Sequence, residues 1–322
     1  MMHKKQCISV VVPLYNEADS VQKLHADIMS ALKSHASAYE VVYVDDGSRD
    51  DTATVVEALV NADSSVKLVK LSRNFGKENA LTAGLSQVST RSLAVITLDG
   101  DGQHPPELIP KFITQWQQGA DIVVGHRIAT EGASIFKWFT SNLFYRAFNL
   151  VASHKLVPGA TDFCLLDKRV LDELLKLGEA NRITRGLVDW LGFSVRYIDF
   201  TAKKRTAGSE QYSLRKLIQL GMNSFVSLSP APLYIFGYIG LVITSLASIV
   251  GGAVFIEQLV LEDPLGWSFT GTAMLGILIV FLVGLLLVSQ GILSLYVSHI
   301  HAESKKRPLY IIDYKKSRGI SR

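Results

Sequence analysis

Two carboxylates one residue apart, Asp99-Gly100-Asp101, close an apolar run at Leu93–Leu98. Acids placed this way can hold one hard divalent cation, directly or through water, and Mg2+ or Mn2+ held there would also bind a diphosphate. Such an ion offsets the charge growing on a departing diphosphate. Exposed acidic turns are common, so the pair alone says little. Its position after a buried strand and before Gln103-His104-Pro105-Pro106-Glu107 says more. A glycosidase would use paired acids differently, flanking a scissile bond from two sides. Side chains two residues apart on one turn do not easily reach that arrangement.

Three further polar clusters accompany the first: Pro13-Leu14-Tyr15-Asn16-Glu17, Asp45-Asp46-Gly47-Ser48 and Arg73-Asn74-Phe75-Gly76-Lys77. Asp46, with Asp45, lies where a base and ribose would lodge. An acceptor carboxylate can take the imide proton of uracil, and Glu17 can reach a ribose hydroxyl. Either acid can instead cap the helix that follows it.

The elements that must position these clusters follow from the hydrophobic pattern. Strands are expected at Ile8–Val12, Glu40–Val44, Val66–Leu71, Leu93–Leu98 and Ile122–Val124, with amphipathic helices over 19–36, 51–62, 77–88 and 106–118. Alternating β and α at this spacing predicts an α/β domain with a mostly parallel sheet covered by helices. Parallel strands end on one edge, where open α/β sheets bind ligands. One Asp/Asn/Gly/Ser cluster is ordinary turn chemistry; four on the same edge point to a site.

The chain has 322 residues and a formal charge of +4, which fits one domain plus an appendage. No nucleic-acid partner is expected. Cys7 and Cys164 have no paired spacing, so neither a disulfide framework nor a zinc site is expected. The N-terminus runs into its first strand without an apolar signal core, so the first domain is expected not to be secreted. Pro232–Phe255 and Thr270–Ser298 carry no charged residue, and each exceeds the ~20 residues a membrane span requires. The connection 256–269 holds Glu257, Glu262 and Asp263 but no basic residue, whereas both outer flanks are basic. Both flanks are therefore expected on the cytoplasmic side. The stretch 132–152, rich in Phe, Trp and Tyr, suits a helix at a membrane interface or a core helix.

The ordered motifs Val11–Glu17, Val44–Ser48, Leu71–Lys77 and Leu98–Gln103 resemble glycosyltransferase family 2. Within it they are similar to the polyprenyl-phosphate glycosyltransferases, which include bactoprenol glucosyltransferases and dolichol-phosphate mannose synthases. The resemblance extends over nearly the whole chain. It implies a Rossmann-like GT-A glycosyltransferase domain followed by juxtamembrane amphipathic helices and two transmembrane helices. The expected boundaries are 1–228 for the cytoplasmic catalytic domain, 229–300 for the transmembrane hairpin and 301–322 for a basic cytoplasmic tail.

By that resemblance Pro13, Tyr15, Glu17 and Asp46, with Asp45 beside it, would hold the nucleotide. Asp99 and Asp101, with Gln103, would serve the metal and diphosphate. Arg127, in Gly125-His126-Arg127, matches the family's arginine beyond the metal site. Lys137 and Ser141 match residues that approach the lipid phosphate, although Lys137 equally suits attraction to lipid headgroups. Asp162 matches an acid that acts as a base or a positioning group. Arg205 matches an arginine that contacts phosphate near the membrane, a role suited to its planar fork. The chain departs from the family pattern at Glu210-Gln211 and at Thr130, where basic residues are usual.

The implied reaction is inverting transfer of one sugar, UDP-glucose being the first choice of donor, to undecaprenyl phosphate at the cytoplasmic face of the inner or plasma membrane. Other sugars (N-acetylglucosamine, an aminoarabinose type, mannose) are alternatives, and relatives include tetramers. A processive polysaccharide synthase is the rival, but its Gln-x-x-Arg-Trp signature is missing. A flippase would need polar groups within several spans.

Overall fold

The structure is a computed structural model that describes residues 7–33, 38–130, 157–179, 182–202 and 271–320, with isolated positions between 238 and 249. Two compact units are present. One comprises Met1–Asn149, His154–Ser213 and Lys306–Arg322, the other Leu150–Ser153 and Leu214–Lys305.

The first unit is built on seven strands: β1 (Cys7–Leu14), β2 (Ala38–Asp45), β3 (Val66–Lys70), β4 (Ser92–Thr97), β5 (Ile122–Thr130), β6 (Ala160–Asp167) and β7 (Val195–Ala202). Its helices are α1 (Ala18–Lys33), α2 (Thr52–Ala62), α3 (Lys77–Ser86), α4 (Ile109–Gln117), α5 (Lys168–Lys176) and α6 (Thr184–Trp190). The central strands are buried on both faces, which is why they read as continuous β-branched runs. Val10 and Val12 of β1, with Val41 and Tyr43 of β2, pack beneath α1, α2 and α4. Val11, Val42 and Val44 enter a second core with α3, α5 and α6. The period-2 alternation of strand side chains therefore builds a three-layer α/β/α sandwich.

The strand order is β3-β2-β1-β4-β6-β5-β7. β1 pairs in parallel with β2 and β4, β2 with β3, and β5 with β7. β6 runs antiparallel between β4 and β5. The sheet is thus mostly parallel, as expected, but β5 does not neighbour β4. The inserted antiparallel strand has one consequence for the site. Because β6 runs the other way, its first residues lie on the edge where the parallel strands end, which brings Asp162 beside the four clusters.

β3 is an edge strand, and the C-terminal segment covers it. Leu68 bridges Arg318 and Leu71 bridges Ile312, both antiparallel. Ser72 N–H donates to Ile311 O at 2.9 Å, Asp313 N–H to Lys70 O at 2.8 Å, and Lys70 N–H to Ser317 Oγ at 3.0 Å. The Tyr310 hydroxyl donates to Ser86 Oγ at 3.0 Å. The region set apart in the sequence as a basic tail contains the end of a helix and then this docked segment. Covering an edge strand removes a row of unpaired backbone groups.

In the second unit α7 (Gly271–Ser304) runs for 34 residues. Its window Phe281–Ser298 is the one helix among the described residues long and apolar enough to cross a membrane. Phe281, Val283, Leu286 and Leu287 are all at least half exposed. A helix apolar on every face has no stripe to bury against a water-soluble core. Most of Pro232–Phe255, and all of 132–152, lie outside the described residues.

Candidate active site

Each cluster sits where its strand ends, and backbone hydrogen bonds knit the loops together. Asp46 N–H donates to Leu14 O at 2.9 Å and Glu17 N–H to Thr52 Oγ1 at 2.9 Å. Asn16 takes a left-handed conformation (φ 55°), a region asparagine tolerates better than most residues. It accepts from Arg49 N–H at 2.9 Å and donates its own N–H to Ser48 Oγ at 3.1 Å. Gly47 is also left-handed (φ 69°), and a Cβ there would lie 2.6 Å from Arg73 C. Only glycine lets the second loop approach the third this closely.

The two acids of the second loop face inward. Asp45 is fully buried, accepts Ser48 N–H at 2.9 Å and lies 3.4 Å from Lys70 Nζ. Asp46 accepts Phe75 N–H at 2.7 Å and Gly76 N–H at 2.9 Å, one on each oxygen. Burial pushes the Asp46 carboxyl up, against the pull of those two N–H groups. The sequence reading offered Asp46 to a uracil proton. In the structure both of its oxygens organise the 73–77 loop, and Asp45 holds its own turn. Pro13 is buried at the end of β1, whereas Tyr15 beside it is 43% exposed.

The Asp-Gly-Asp loop is held from three sides. Ser20 Oγ lies 3.0 Å from Gly100 O and 3.0 Å from Glu17 Oε2, joining α1 to the loop. A Cβ on Gly100 would sit 2.5 Å from Leu14 Cδ2 and 3.2 Å from Pro13 O. Asp101 accepts Gln103 N–H at 3.1 Å. Beneath, His104 Nδ1 accepts Asp99 N–H at 3.1 Å, while its ring stacks on Phe163 at 5.3 Å between centroids. An Nδ1 that accepts carries no proton, and burial pushes the His104 imidazole down, toward the neutral form. Its 3.8 Å approach to Asp99 Oδ2 is therefore a contact of a neutral ring, not an ion pair.

Lys77 is the residue whose part was not read from the sequence. Its Nζ lies 2.8 Å from Asp99 Oδ1, 3.0 Å from Asp99 Oδ2 and 2.6 Å from Asp162 Oδ2. One ammonium ion thus bridges the first acid of the loop and the acid at the start of β6. Burial works against the Lys77 charge, but Asp99 and Asp162 outweigh it and hold its pKa above the usual lysine range. Burial likewise opposes ionisation of Asp162, and Lys77, followed by Arg185, reverses that and holds it below the usual carboxylate range. Thr97 Oγ1 fixes the backbone of Asp162 by donating to its carbonyl oxygen. Glu78, next to Lys77, accepts Thr184 N–H at 2.9 Å and so ties α3 to the start of α6. The signal for Lys77 was present, as the only basic residue of its cluster besides Arg73. Its partners, however, lie 22 and 85 positions away.

Arg127 lies within β5 (Ile122–Thr130), and its buried Nε has no hydrogen-bond partner among the described residues. Asp99, Asp101, Gln103, Asp162 and the 13–17, 45–48 and 73–77 loops share one sheet edge with it. Lys137, Ser141 and Arg205 lie outside the described residues, as do Glu210 and Gln211. The described residues include no group of three or more His, Cys, Asp or Glu placed for a metal. Two carboxylates still fit an ion such as Mg2+ or Mn2+, which takes one or two protein acids and completes its shell from phosphates and water. That Asp99 already receives a cationic ammonium group shows the local field to suit positive charge.

The Glycosyl transferase family 2 model matches residues 9–175. A bactoprenol glucosyl transferase of Shigella phage SfV is 33% identical over 311 residues, covering 97% of this chain and 99% of the relative. An uncharacterised glycosyltransferase of Synechocystis sp. is 33% identical over 305 residues, covering 95% and 94% of the two chains. Among solved structures, the mannosyltransferase PcManGT of Pyrobaculum calidifontis, in complex with GDP-Man and Mn2+, aligns with a TM-score of 0.49 at 15% identity, covering 94% of this chain and 88% of that one.

Proposed function

The chain belongs to glycosyltransferase family 2, is an enzyme that uses a nucleotide sugar, and on that premise we propose that it transfers one glucose from UDP-glucose to undecaprenyl phosphate at the cytoplasmic face of a membrane. The observation that carries this reading is the meeting of Asp99, Lys77 and Asp162 on the sheet edge, in a chain that also bears a helix whose apolar stretch Phe281–Ser298 has no buried residue. Both substrates are anions, so a site that joins them must supply cations and hold them apart from water. The bactoprenol glucosyl transferases that match almost end to end support the lipid acceptor and the sugar.

In the proposed reaction an oxygen of the acceptor phosphate bonds to the anomeric carbon. The bond from that carbon to the donor's diphosphate breaks, and the nucleoside diphosphate leaves with the electron pair, inverting the centre. Asp99 and Asp101 would hold a divalent cation, which supplies charge neutralisation on the leaving diphosphate. Tyr15, Glu17 and the loop organised by Asp46 would seat the nucleoside. Arg127, with its unpartnered Nε, would orient a phosphate, joined by Lys137, Ser141 and Arg205.

A phosphate monoester is already largely dianionic near neutrality, its second pKa being about 6. Little deprotonation is therefore needed. A carboxylate held low by Lys77 is a weak base, so Asp162 suits the orienting role better than the proton-accepting one.

Membrane placement follows a counting argument. The described residues before 203 and those from 306 belong to one unit. If α7 crosses a bilayer, the chain must cross once more within 203–270 to bring its end back. This supports a two-span hairpin that includes Pro232–Phe255. Mass spectrometry of lipid products from undecaprenyl phosphate and a panel of nucleotide sugars tests the assignment. Glucosyl phospholipid formed from UDP-glucose is the expected result; turnover only with another donor rejects the sugar, and no lipid product rejects the acceptor.

A further inference from the structure

The metal-binding acid is shared with a cation that belongs to the protein itself. Lys77 Nζ spans both oxygens of Asp99 and one oxygen of Asp162. Without the ammonium ion between them the two carboxylates would repel. With it, the approach of any other cation to Asp99 places two positive charges on one carboxylate. We propose that Lys77 is a positioning residue that competes with the divalent cation for Asp99 and is handed over to Asp162 when the cation arrives.

The geometry suits a handover. The lysine is the first residue of α3, and its backbone is fixed at the preceding residue, where Gly76 N–H is held by Asp46 at 2.9 Å. A four-carbon stem lets the ammonium ion leave one carboxylate while the backbone stays in place. Lysine presents three donors, so loss of the Asp99 contacts still leaves the 2.6 Å contact to Asp162. The result is an order of events. Before the cation binds, Asp162 is tied across the cleft to Asp99. Afterwards it is released from Asp99 while remaining paired and ionised, free to take its place beside the acceptor. Arginine would lack this rotational freedom, since its donors are fixed in a plane.

This inference rests on the proposed role of Asp99 in metal binding, and the test separates the two. Mn2+ is titrated into the detergent-solubilised full chain with uridine diphosphate present, and free Mn2+ is read by electron paramagnetic resonance, with no turnover involved. Lys77→Met is expected to bind Mn2+ roughly 1.5- to fivefold more tightly than the unmodified chain, the range set by freeing a partly exposed ion pair. Lys77→Gln, which keeps a polar end, is expected to behave like Lys77→Met and covers the case in which the methionine disturbs folding. Lys77→Arg, with its charge retained, is expected to bind no more tightly than the unmodified chain. Mn2+ binding that Asp99→Ala abolishes, but that both neutral variants leave unchanged or weaken, would overturn the competition and leave the metal site standing. Mn2+ binding that Asp99→Ala leaves untouched would overturn both.

Discussion

The carboxylate of Asp46 holds Gly76 N–H at 2.9 Å, on the residue immediately before the lysine that reaches Asp99. The side of the cleft proposed for the nucleoside and the side proposed for the metal are therefore joined by one short loop. Asp46→Ala frees two N–H groups that a charged acceptor now satisfies, a loss of about 2–4 kcal/mol. Its expected effect is a lower unfolding midpoint together with a raised KM for the donor. Asp46→Asn, which presents one oxygen and one amide nitrogen to two donors, should recover only part of this. Denaturant titration and initial-rate kinetics on the same preparations check both.

Asp99→Ala should lower kcat by roughly 10²–10³, the usual result of removing one electrostatic stabiliser from a site of this kind. Chelation of divalent ions should produce a similar loss in the unmodified chain. Chelation of the Asp99→Ala variant should add little, because the acid and the ion act as a unit. Product formation with and without chelator measures the three values.

Gly100 leaves no room for a side chain. An alanine Cβ would press on Leu14 Cδ2 at 2.5 Å, which can shift, and on Pro13 O at 3.2 Å, which cannot without moving β1. Overpacking of this type costs about 1–3 kcal/mol. Gly100→Ala should therefore lower stability modestly and activity more, since the displaced loop carries both Asp99 and Asp101. A thermal melt compared with relative kcat/KM distinguishes the two effects.

His25 gives the domain a pH dependence of known sign. Its Nδ1 lies 3.1 Å from the hydroxyl of buried Tyr43. Burial, ahead of the opposing Asp63, pushes the His25 pKa below its ordinary value of 6.5. The unfolded chain then binds more protons than the folded one between the depressed value and 6.5. The contribution is fully present above that ordinary value and is lost as pH falls through the window below it. His25→Gln should flatten the change in urea midpoint between about pH 7 and about pH 5.5.

Removal of residues 307–322 should expose β3. The amides of Leu68, Lys70 and Ser72 donate to Arg318, Ser317 and Ile311, so their hydrogen exchange should accelerate sharply while β1 stays protected. Mass-spectrometric exchange on the full and shortened chains provides the comparison. Equal protection of β3 in both would mean the edge is stable without its cover.

Much of the sheet was legible because Val10–Val12, Val41–Val44 and Val95–Ile96 are runs that only a strand buried on both faces explains. The polar ends of β1 to β4 were legible for the same reason, since parallel pairing sends them to one edge. β6 was not, because the choice of an antiparallel neighbour between β4 and β5 is made by tertiary packing and leaves no periodic mark. Asp162 was found only through its motif, without the strand that carries it. Lys77 and Ser20 act across 85 and 80 positions through side chains of ordinary type, and local pattern does not encode such pairs. The cover on β3 rests on isolated bridges, too short for alternation to show.

That cover has a consequence for biogenesis. Lys70 finds the hydroxyl of Ser317 247 residues later in the chain, after every apolar segment has been made. A ribosome-bound chain can thus assemble its central strands early, but its outer border stays open until residues 311–318 emerge. That border runs on to Ser72, whose N–H donates to Ile311 O beside the loop that Asp46 and Lys77 share. Nascent protein would complete this border only once translation has passed α7, so the loop beside it settles late in synthesis.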